Sequence, residues 1–186
     1  MSFTRKSAKP KTFLAEPELY SHAVKSLGRR MRTVAELRRL MRPRVEPGEA
    51  GEAAMDAVVA RLKEYKFLND TAYATDYTRL RQENEKFGKR RVRQELIQKG
   101  VHADVIAKTV DAAYEDVSEE ELARKHLLRK RVKKPASEKE TARVMRMLMR
   151  AGFSTGAIVK VLKNWDVDED ALSALETSGD DDTSLE

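Results

Sequence analysis

Apolar residues recur at helical spacing along most of the chain. From about Glu18 onward the apolar stripes advance by three or four positions, as the buried face of an α-helix requires, and no segment shows the alternation of a half-buried strand. The pattern therefore predicts an all-α protein. Four of the stripes are Val58, Leu62 and Tyr65; Tyr73, Tyr77 and Leu80; Ile106, Val110 and Tyr114; and Ile158, Leu162 and Trp165.

One short motif occurs three times. In "RVRQELIQKGV" and "RVMRMLMRAGF" an apolar helical stripe is followed by a glycine and a further apolar residue, Gly100-Val101 and Gly152-Phe153. A glycine just past a helix can take the left-handed conformation that ends it, and the next apolar residue can fold back on the last turn. A looser copy, "TVAELRRLMRPRV", has no glycine there, so we expect Pro43 to end its helix.

The copies predict three tandem three-helix units, resembling helix-turn-helix repeats, at residues 18–68, 69–116 and 117–165. The stretch "RPRVEPGEAGEA" is the longest interruption, inside the first unit. Such units would form an elongated, curved chain with a large binding surface. We expect a monomer in which residues 1–17 are a disordered basic arm and residues 166–186 a disordered acidic tail.

Charge is distributed unevenly along this sequence. The formal net charge is +6, yet no Lys or Arg follows Lys163, and nine acidic residues lie between Asn164 and the C-terminus. Without those nine negative charges the first 163 residues carry +15. A basic body with an acidic tail indicates a polyanionic partner or a partner with an acidic surface. A highly charged, well-solvated surface is the alternative.

Residues that support catalysis or metal binding are sparse. The chain has no cysteine, and His22, His102 and His126 lie far apart, without a second histidine at ligand spacing. The Gly-Lys pair of "FGKRR" lacks the other residues of a phosphate loop. No apolar run approaches the roughly 18 residues of a membrane span, and no secretory signal is present. We therefore expect a cytoplasmic protein that is not an enzyme and has neither metal nor cofactor.

The aromatic residues are better explained by packing than by base stacking. Tyr65, Phe67, Tyr114 and Trp165 fall on or beside apolar stripes. Large aromatic side chains contribute most to a core when they lie on such a stripe, so we expect these four to be core residues.

The segment "KFGKRRVRQELIQKGV" has five cations in its first eight residues. A localisation signal, a solvated helix surface and a binding surface are possible interpretations. A helix that begins near Lys89 would bury Val92 and Leu96 and place Arg90 and Arg93 on its outer face, one turn apart. This patterning favours a binding surface.

Two further observations concern the cations. Arg91 can pair with Glu95 across one helical turn, which would make it partly structural. A second basic run, "RKHLLRKRVKK" at residues 124–134, provides another cationic surface in the third unit.

The central segment resembles the signature of the RecX regulatory proteins. Residues 67–101 contain a Leu-Asn-Asp turn, an aromatic-Ala pair, an arginine, a glycine, an Arg-Val pair, Glu-Leu and Lys-Gly-Val, in the order and spacing of that family. Tyr77 stands where the family often has Phe. The matching residues are Leu68, Asn69, Asp70, Tyr73, Ala74, Arg79, Gly88, Arg91, Val92, Glu95, Leu96, Lys99, Gly100 and Val101.

The resemblance implies a protein that binds the RecA recombinase filament along its groove and inhibits ATP hydrolysis and strand exchange, and so regulates homologous recombination and DNA repair. Family members also bind DNA, single- or double-stranded. The alternative is a direct DNA-binding helical module that presents helix 89–99 to a groove. A small hydrolase or nuclease lacks candidate chemistry. The candidate partner-binding residues are Arg79, Lys89, Arg90, Arg91, Arg93, Lys99, Arg129, Lys130 and Arg131.

Overall fold

A computed structural model describes residues 12–165 of the chain. Within that range it contains α-helices and short helical turns and no strand, which confirms the all-α prediction. None of these helices combines the length and the apolarity that crossing a bilayer requires. The nine α-helices of the described range are α1 (Glu16–Leu27), α2 (Val34–Met41), α3 (Glu49–Glu64), α4 (Asp70–Leu80), α5 (Lys89–Gln98), α6 (Ala103–Tyr114), α7 (Glu119–Arg129), α8 (Glu138–Arg150) and α9 (Thr155–Lys163).

The described residues form two compact bodies. Among these residues, the first body comprises 12–73 together with Lys99–Val101, and the second comprises Ala74–Gln98 and 102–165. The three-unit boundaries stay a prediction. Residues 166–186 and most of the predicted N-terminal arm lie outside the described range.

The first body packs α1, α2 and α3 around an apolar core. α2 begins with a capping box, in which Thr33 Oγ1 accepts from Glu36 N at 3.0 Å and Glu36 Oε2 accepts from Thr33 N at 3.3 Å. The Thr33 hydroxyl also donates to Lys99 O at 2.6 Å, which ties residues 99–101 to this body. The buried apolar residues of this core are Leu19, Ala23, Leu37, Met41, Val45, Met55, Val58, Val59, Leu62 and Leu68.

In the second body α7, α8 and α9 enclose a core centred on Phe153, and α5 packs on α6. Serine caps begin α7, α8 and α9, because the side chains of Ser118, Ser137 and Ser154 each accept a backbone N–H of the first turn. A capping serine therefore marks the start of each of these three helices.

The glycine stops are confirmed. Gly100 and Gly152 have φ of 75° and 90°, and the apolar residues that follow them, Val101 and Phe153, are buried. Two backbone hydrogen bonds close the C-terminal end of α8: Gly152 N donates to Met149 O at 2.9 Å, and Phe153 N donates to Leu148 O at 3.2 Å. Bonds of this kind satisfy the last carbonyl groups of a helix.

Two expectations were wrong. The interruption in the first unit is shorter than predicted, since α3 already begins at Glu49. A glycine is required at Gly51, because a Cβ at this position would overlap the carbonyl oxygen of Glu46.

The second wrong expectation concerns the aromatic residues. Tyr65 and Phe67, which were predicted to be core residues, are each 57% exposed. Lys66 between them has φ 59°, and the turn it makes returns Leu68 to the core instead.

One of the apolar stripes also ends differently. α4 buries Tyr73 and Thr78, whereas Leu80 at the end of its stripe is exposed. The helix gives way at Arg81–Glu85 to a wider π-turn, which shifts the register of the buried face. Leu80 itself precedes this turn: the buried face of α4 is formed by Tyr73, Ala74 and Thr78, and the predicted stripe runs along the edge of that face.

Candidate partner-binding surfaces

The α5 helix has one buried face and one cationic face. It begins at Lys89, as predicted, and Val92 and Leu96 are fully buried. Arg90 lies on the opposite, exposed side, whereas Lys89 and Arg93 lie at the edges of the buried face and are half-buried. We call these three residues the α5 surface. The buried pair therefore decides which cations point outward.

Two glycines bring the start of α5 against the end of α8. Gly88 N donates to Ala151 O at 2.8 Å, and Arg90 N donates to Gly152 O at 3.3 Å. A Cβ at Gly88 would overlap the backbone of Gly152, and a Cβ at Gly152 would overlap the backbone of Arg91. The two backbones thus approach as closely as they do only because neither position has a side chain.

A single carboxylate serves two cations of the α5 surface. Lys89 Nζ and Arg93 Nη2 both lie 3.1 Å from Asp111 Oδ1, on α6. Arg90 is exposed and forms no ion pair with any residue of the described range. The outward charge of this surface is therefore carried mainly by Arg90.

Arg91 belongs to a partly buried network around Glu95. Its Nε donates to Glu95 Oε1 at 2.8 Å, and the Tyr77 hydroxyl donates to Glu95 Oε2 at 2.7 Å. Burial works against ionisation of Glu95, but these two hydrogen bonds and the positive charge of Arg81 outweigh it and lower the pKa of the carboxyl. The predicted Arg91–Glu95 pair is thus confirmed within α5, and the hydrogen bond from Tyr77 to Glu95 links α5 to α4.

Arg79 and Lys99 also have acidic neighbours. Arg79 lies on α4, with Asp76 at 3.6 Å and the exposed Glu83 at 3.1 Å. Lys99 belongs to the first body, where Nζ lies 3.3 Å from Glu36 Oε1 and 5.8 Å from the centre of the Tyr73 ring. A role in partner binding stays a prediction for both residues.

The second basic run is divided by the end of α7. Arg129 pairs with Glu85 at 2.8 Å, whereas Lys130 and Arg131 follow the helix and are exposed. These two residues line a groove of about 520 Å³ between the loop 130–135 and α8. We call it the α8 groove, and its cations are Lys130, Arg131, Lys133, Lys134, Arg143 and Arg150.

Arg143 and Arg150 were not among the predicted residues. They lie on α8 seven positions apart, which places them two turns apart on one face, with Val144 and Met147 between them. The helical period of α8 contained this signal. The sequence did not show that the loop 130–135 faces the same side.

His126 is a packing residue. It is buried between the rings of Phe87 and Phe153, each 5.9 Å away, and its Nδ1 lies 2.9 Å from Glu85 O. A carbonyl oxygen can only accept, so Nδ1 carries the proton. In the described range no three His, Asp or Glu side chains are grouped as a metal site would require.

Comparison with known proteins gives concordant matches. The family model described as "RecX, second three-helix domain" matches residues 69–110, and "RecX, third three-helix domain" matches residues 118–162. "Regulatory protein RecX" of Leptothrix cholodnii is 36% identical over 153 residues, covering 82% of this chain and 92% of that protein. The protein of the same name from Myxococcus xanthus is 36% identical over 157 residues, covering 77% of this chain and 83% of its own.

Solved structures agree on the fold. A crystal structure of regulatory protein RecX superposes with a TM-score of 0.64 at 24% identity, covering 80% of this chain and 71% of the other. The crystal structure of RecX from Lactobacillus salivarius gives a TM-score of 0.61 at 20% identity, covering 81% and 96%. The motifs, the helices and the extent of these matches lead to one conclusion: the chain belongs to the RecX family of regulatory proteins.

Proposed function

We propose that the protein binds the RecA recombinase filament in the cytosol and inhibits its ATP hydrolysis and strand exchange, using the α5 surface. Membership of a family whose proteins are named regulatory proteins supports a regulatory role. A RecA filament on DNA is a long, largely negative surface, which a basic chain can recognise.

The observation that carries the proposal is the position of Arg90. It lies in the segment matched by the second-domain family model, on the side of α5 opposite the buried Val92 and Leu96. It is exposed and forms no ion pair within residues 12–165, so its charge is available to a partner. Lys89 and Arg93 add to this charge, although Asp111 offsets part of it.

The direct test is ATP hydrolysis by the cognate RecA on single-stranded DNA with increasing amounts of this protein. We expect the rate to fall as the protein is added. A rate of hydrolysis that stays constant at saturating protein would contradict inhibition. The assignment to the family would then stand without the proposed activity.

The residue-level test replaces Arg90 by Glu. Inhibition should be lost while the free energy of unfolding changes by no more than about 0.5 kcal/mol, because the side chain is exposed. Lys108→Glu is the matched control: Lys108 is an exposed cation of α6 without an ion pair in the described range. If both variants inhibit as the parent does, the α5 surface is only a solvated helix face.

A further inference from the structure

We propose that the acidic C-terminal segment of this chain, residues 166–186, binds in the α8 groove and covers it. The groove lies in the second body, and the segment follows directly on Trp165, the last described residue of that body. The proposal requires neither RecA nor any other partner. Its test therefore uses the full-length chain alone.

The first argument is the charge that the fold leaves uncompensated in the groove. Six cations line it, and the one acid among the described lining residues is Glu140. The Glu140 carboxylate accepts from Ala136 N at 2.8 Å, near the beginning of α8. Five of the cations form no ion pair with any residue in the described range: Lys130, Arg131, Lys133, Arg143 and Arg150.

Other cations of the same body do have partners. Arg91, Arg93 and Arg129 each have a carboxylate within about 3 Å. Cations that surround a concave space with an apolar wall concentrate their field in that space, so the groove attracts an acidic occupant. The apolar wall is formed by Val132, Val144 and Met147.

The second argument is the composition of the segment 166–186. It contains nine acids and no Lys or Arg, so its carboxylates have no cation within the segment to pair with. Most of the acids lie at 166–170 and 180–182, and Val167, Leu172 and Leu175 are interspersed or lie between these groups. Carboxylates match the cations of the groove, and aliphatic side chains match its apolar wall. The segment thus supplies both kinds of group that the groove can bind.

The third argument is the short connection between the segment and the groove. Trp165 packs on the same core as Val132 and Met147, which line the groove. A stretch of about 15 residues spans at most about 50 Å, and a compact body of about 90 residues is roughly 30 Å across. Even the acids at 180–182 can therefore reach the groove. A segment joined to its site in this way has an effective concentration on the order of millimolar, so weak ion pairs suffice.

The first experiment joins neighbouring lysines and carboxylates covalently. A water-soluble carbodiimide activates a carboxylate, and a lysine amine in contact with it forms an amide and releases a urea. Because no Lys or Arg follows Lys163, trypsin releases residues 164–186 as one peptide, whose attachment sites mass spectrometry identifies.

We expect this peptide to be attached to the groove lysines within single chains at low salt. Much less should be attached to Lys63 or Lys108, which are exposed outside the groove. The yield should fall between roughly 0.05 and 0.5 M salt, because the screening length becomes shorter than about 10 Å. The groove lysines are Lys130, Lys133 and Lys134.

A variant of two groove arginines leaves these lysines in place. Arg143→Glu with Arg150→Glu should lower the yield of attachment at least about fivefold, because two attractive contacts become repulsive. The matched control is Arg30→Glu with Arg146→Glu, which changes the net charge equally at two exposed arginines that do not line the groove. The control should retain the yield of the parent, and the Tm of both variants shows whether each is folded.

A second measurement leaves the folded body unchanged. The acids at 168–170 and 180–182 are replaced by the matching amides, Asp→Asn and Glu→Gln, and the rate at which acetic anhydride modifies each lysine is followed by mass spectrometry. Covered lysines react slowly. We therefore expect the rates at Lys130 and Lys133 to rise severalfold in this variant, while the rate at Lys108 stays that of the parent.

Four results would overturn the proposal. Attachment to Lys63 and Lys108 as abundant as attachment to the groove lysines would mean that the segment has no preferred site. An equal loss of attachment in the two arginine variants would mean that only the net charge matters. Attachment confined to covalent dimers would assign the groove to the segment of a second copy, and unchanged acetylation would leave the groove uncovered. None of these results affects inhibition of RecA by the α5 surface.

Discussion

The α5 surface and the α8 groove are both rich in cations, but they differ in how many of those cations have a carboxylate partner. On α5, Asp111 serves Lys89 and Arg93, and Arg90 is left to act outward. Around the groove, five exposed cations have no described carboxylate partner. A count of Lys and Arg does not distinguish these cases. What distinguishes them is whether neighbouring helices supply acids.

This difference has a consequence for recognition. Exposed ion pairs are worth little in stability, roughly 0–1 kcal/mol, yet they orient the side chains that make them. We therefore expect the α5 surface to recognise a protein of matching shape, and the α8 groove to recognise a polyanion with strong salt dependence.

The largest expected effect is a loss of stability in the body that carries both surfaces. Gly152→Ala places a Cβ against the backbone of Arg91 at a residue with φ 90°. Overpacking and left-handed strain together should lower the free energy of unfolding by about 3 kcal/mol, measurable by urea denaturation. Gly156→Ala on α9 is the control, since a Cβ there meets nothing within 4 Å. An unchanged stability of Gly152→Ala would mean that the close approach of α5 and α8 is not needed.

The second prediction separates the surfaces. Arg90→Glu with Arg93→Glu should abolish inhibition of RecA while binding to a single-stranded oligothymidine stays within about twofold, because both changes lie outside the α8 groove and leave its cations in place. Arg93→Glu also brings a second carboxylate near Asp111, so a small loss of Tm is expected.

Both assays are needed to interpret this variant. If this variant also binds oligothymidine much more weakly than the parent does, the α5 surface contacts DNA phosphates. The contrast between the two surfaces then disappears.

The third prediction concerns pH. Burial of His126 lowers its pKa below the usual value, so below about pH 6.5 the unfolded chain takes up a proton that the folded chain does not. Stability is then fully present above that pH and is lost as the pH falls, by at most about 1.4 kcal/mol per pH unit.

The measurement compares urea unfolding at neutral and mildly acidic pH in the parent and in His126→Gln, whose amide can still donate to Glu85 O. The difference between the two pH values should be smaller in the variant. Because His126 contacts Phe87, just before α5, and lies on α7, which leads to the groove, acidification should loosen both surfaces together. Equal pH dependence in parent and variant would show that other groups determine it.

The smallest expected effect comes from the acidic C-terminal residues. Ending the chain after Trp165 removes nine acids, and oligothymidine affinity should rise severalfold at low salt because fewer negative charges compete for the basic body. Screening over about 10 Å at 0.1 M salt should reduce this gain. The α5 surface, with its own carboxylate nearby, should gain less in RecA inhibition. An unchanged affinity at low salt would exclude competition by these residues.

Local features of the fold were predictable from the sequence. The start of α5, the glycine stops and the Arg91–Glu95 pair depend on residues within a few positions of one another. The exposed Tyr65 and Phe67 were missed because a left-handed Lys66, which no simple rule anticipates, turns the chain between them.

Features that depend on tertiary contacts were not predictable. Asp111 neutralises part of α5 from another helix, and nothing in the local pattern connects them. The groove forms because α8 lies beside the loop 130–135, which brings Arg143 and Arg150 to residues of the second basic run. The sequence thus identified cationic segments, whereas the contacts between helices decide which of their charges remain available.

The contact between Gly88 and Gly152 also constrains how the chain can evolve. Both residues already have the smallest side chain, so a larger residue at one position cannot be compensated by a smaller residue at the other. The surrounding Lys and Arg can exchange with each other, or move by one helical turn, while the surface keeps its charge. Among relatives that retain this packing of α5 on α8, the two glycines should therefore be the slowest positions to diverge, and the cations around them should drift.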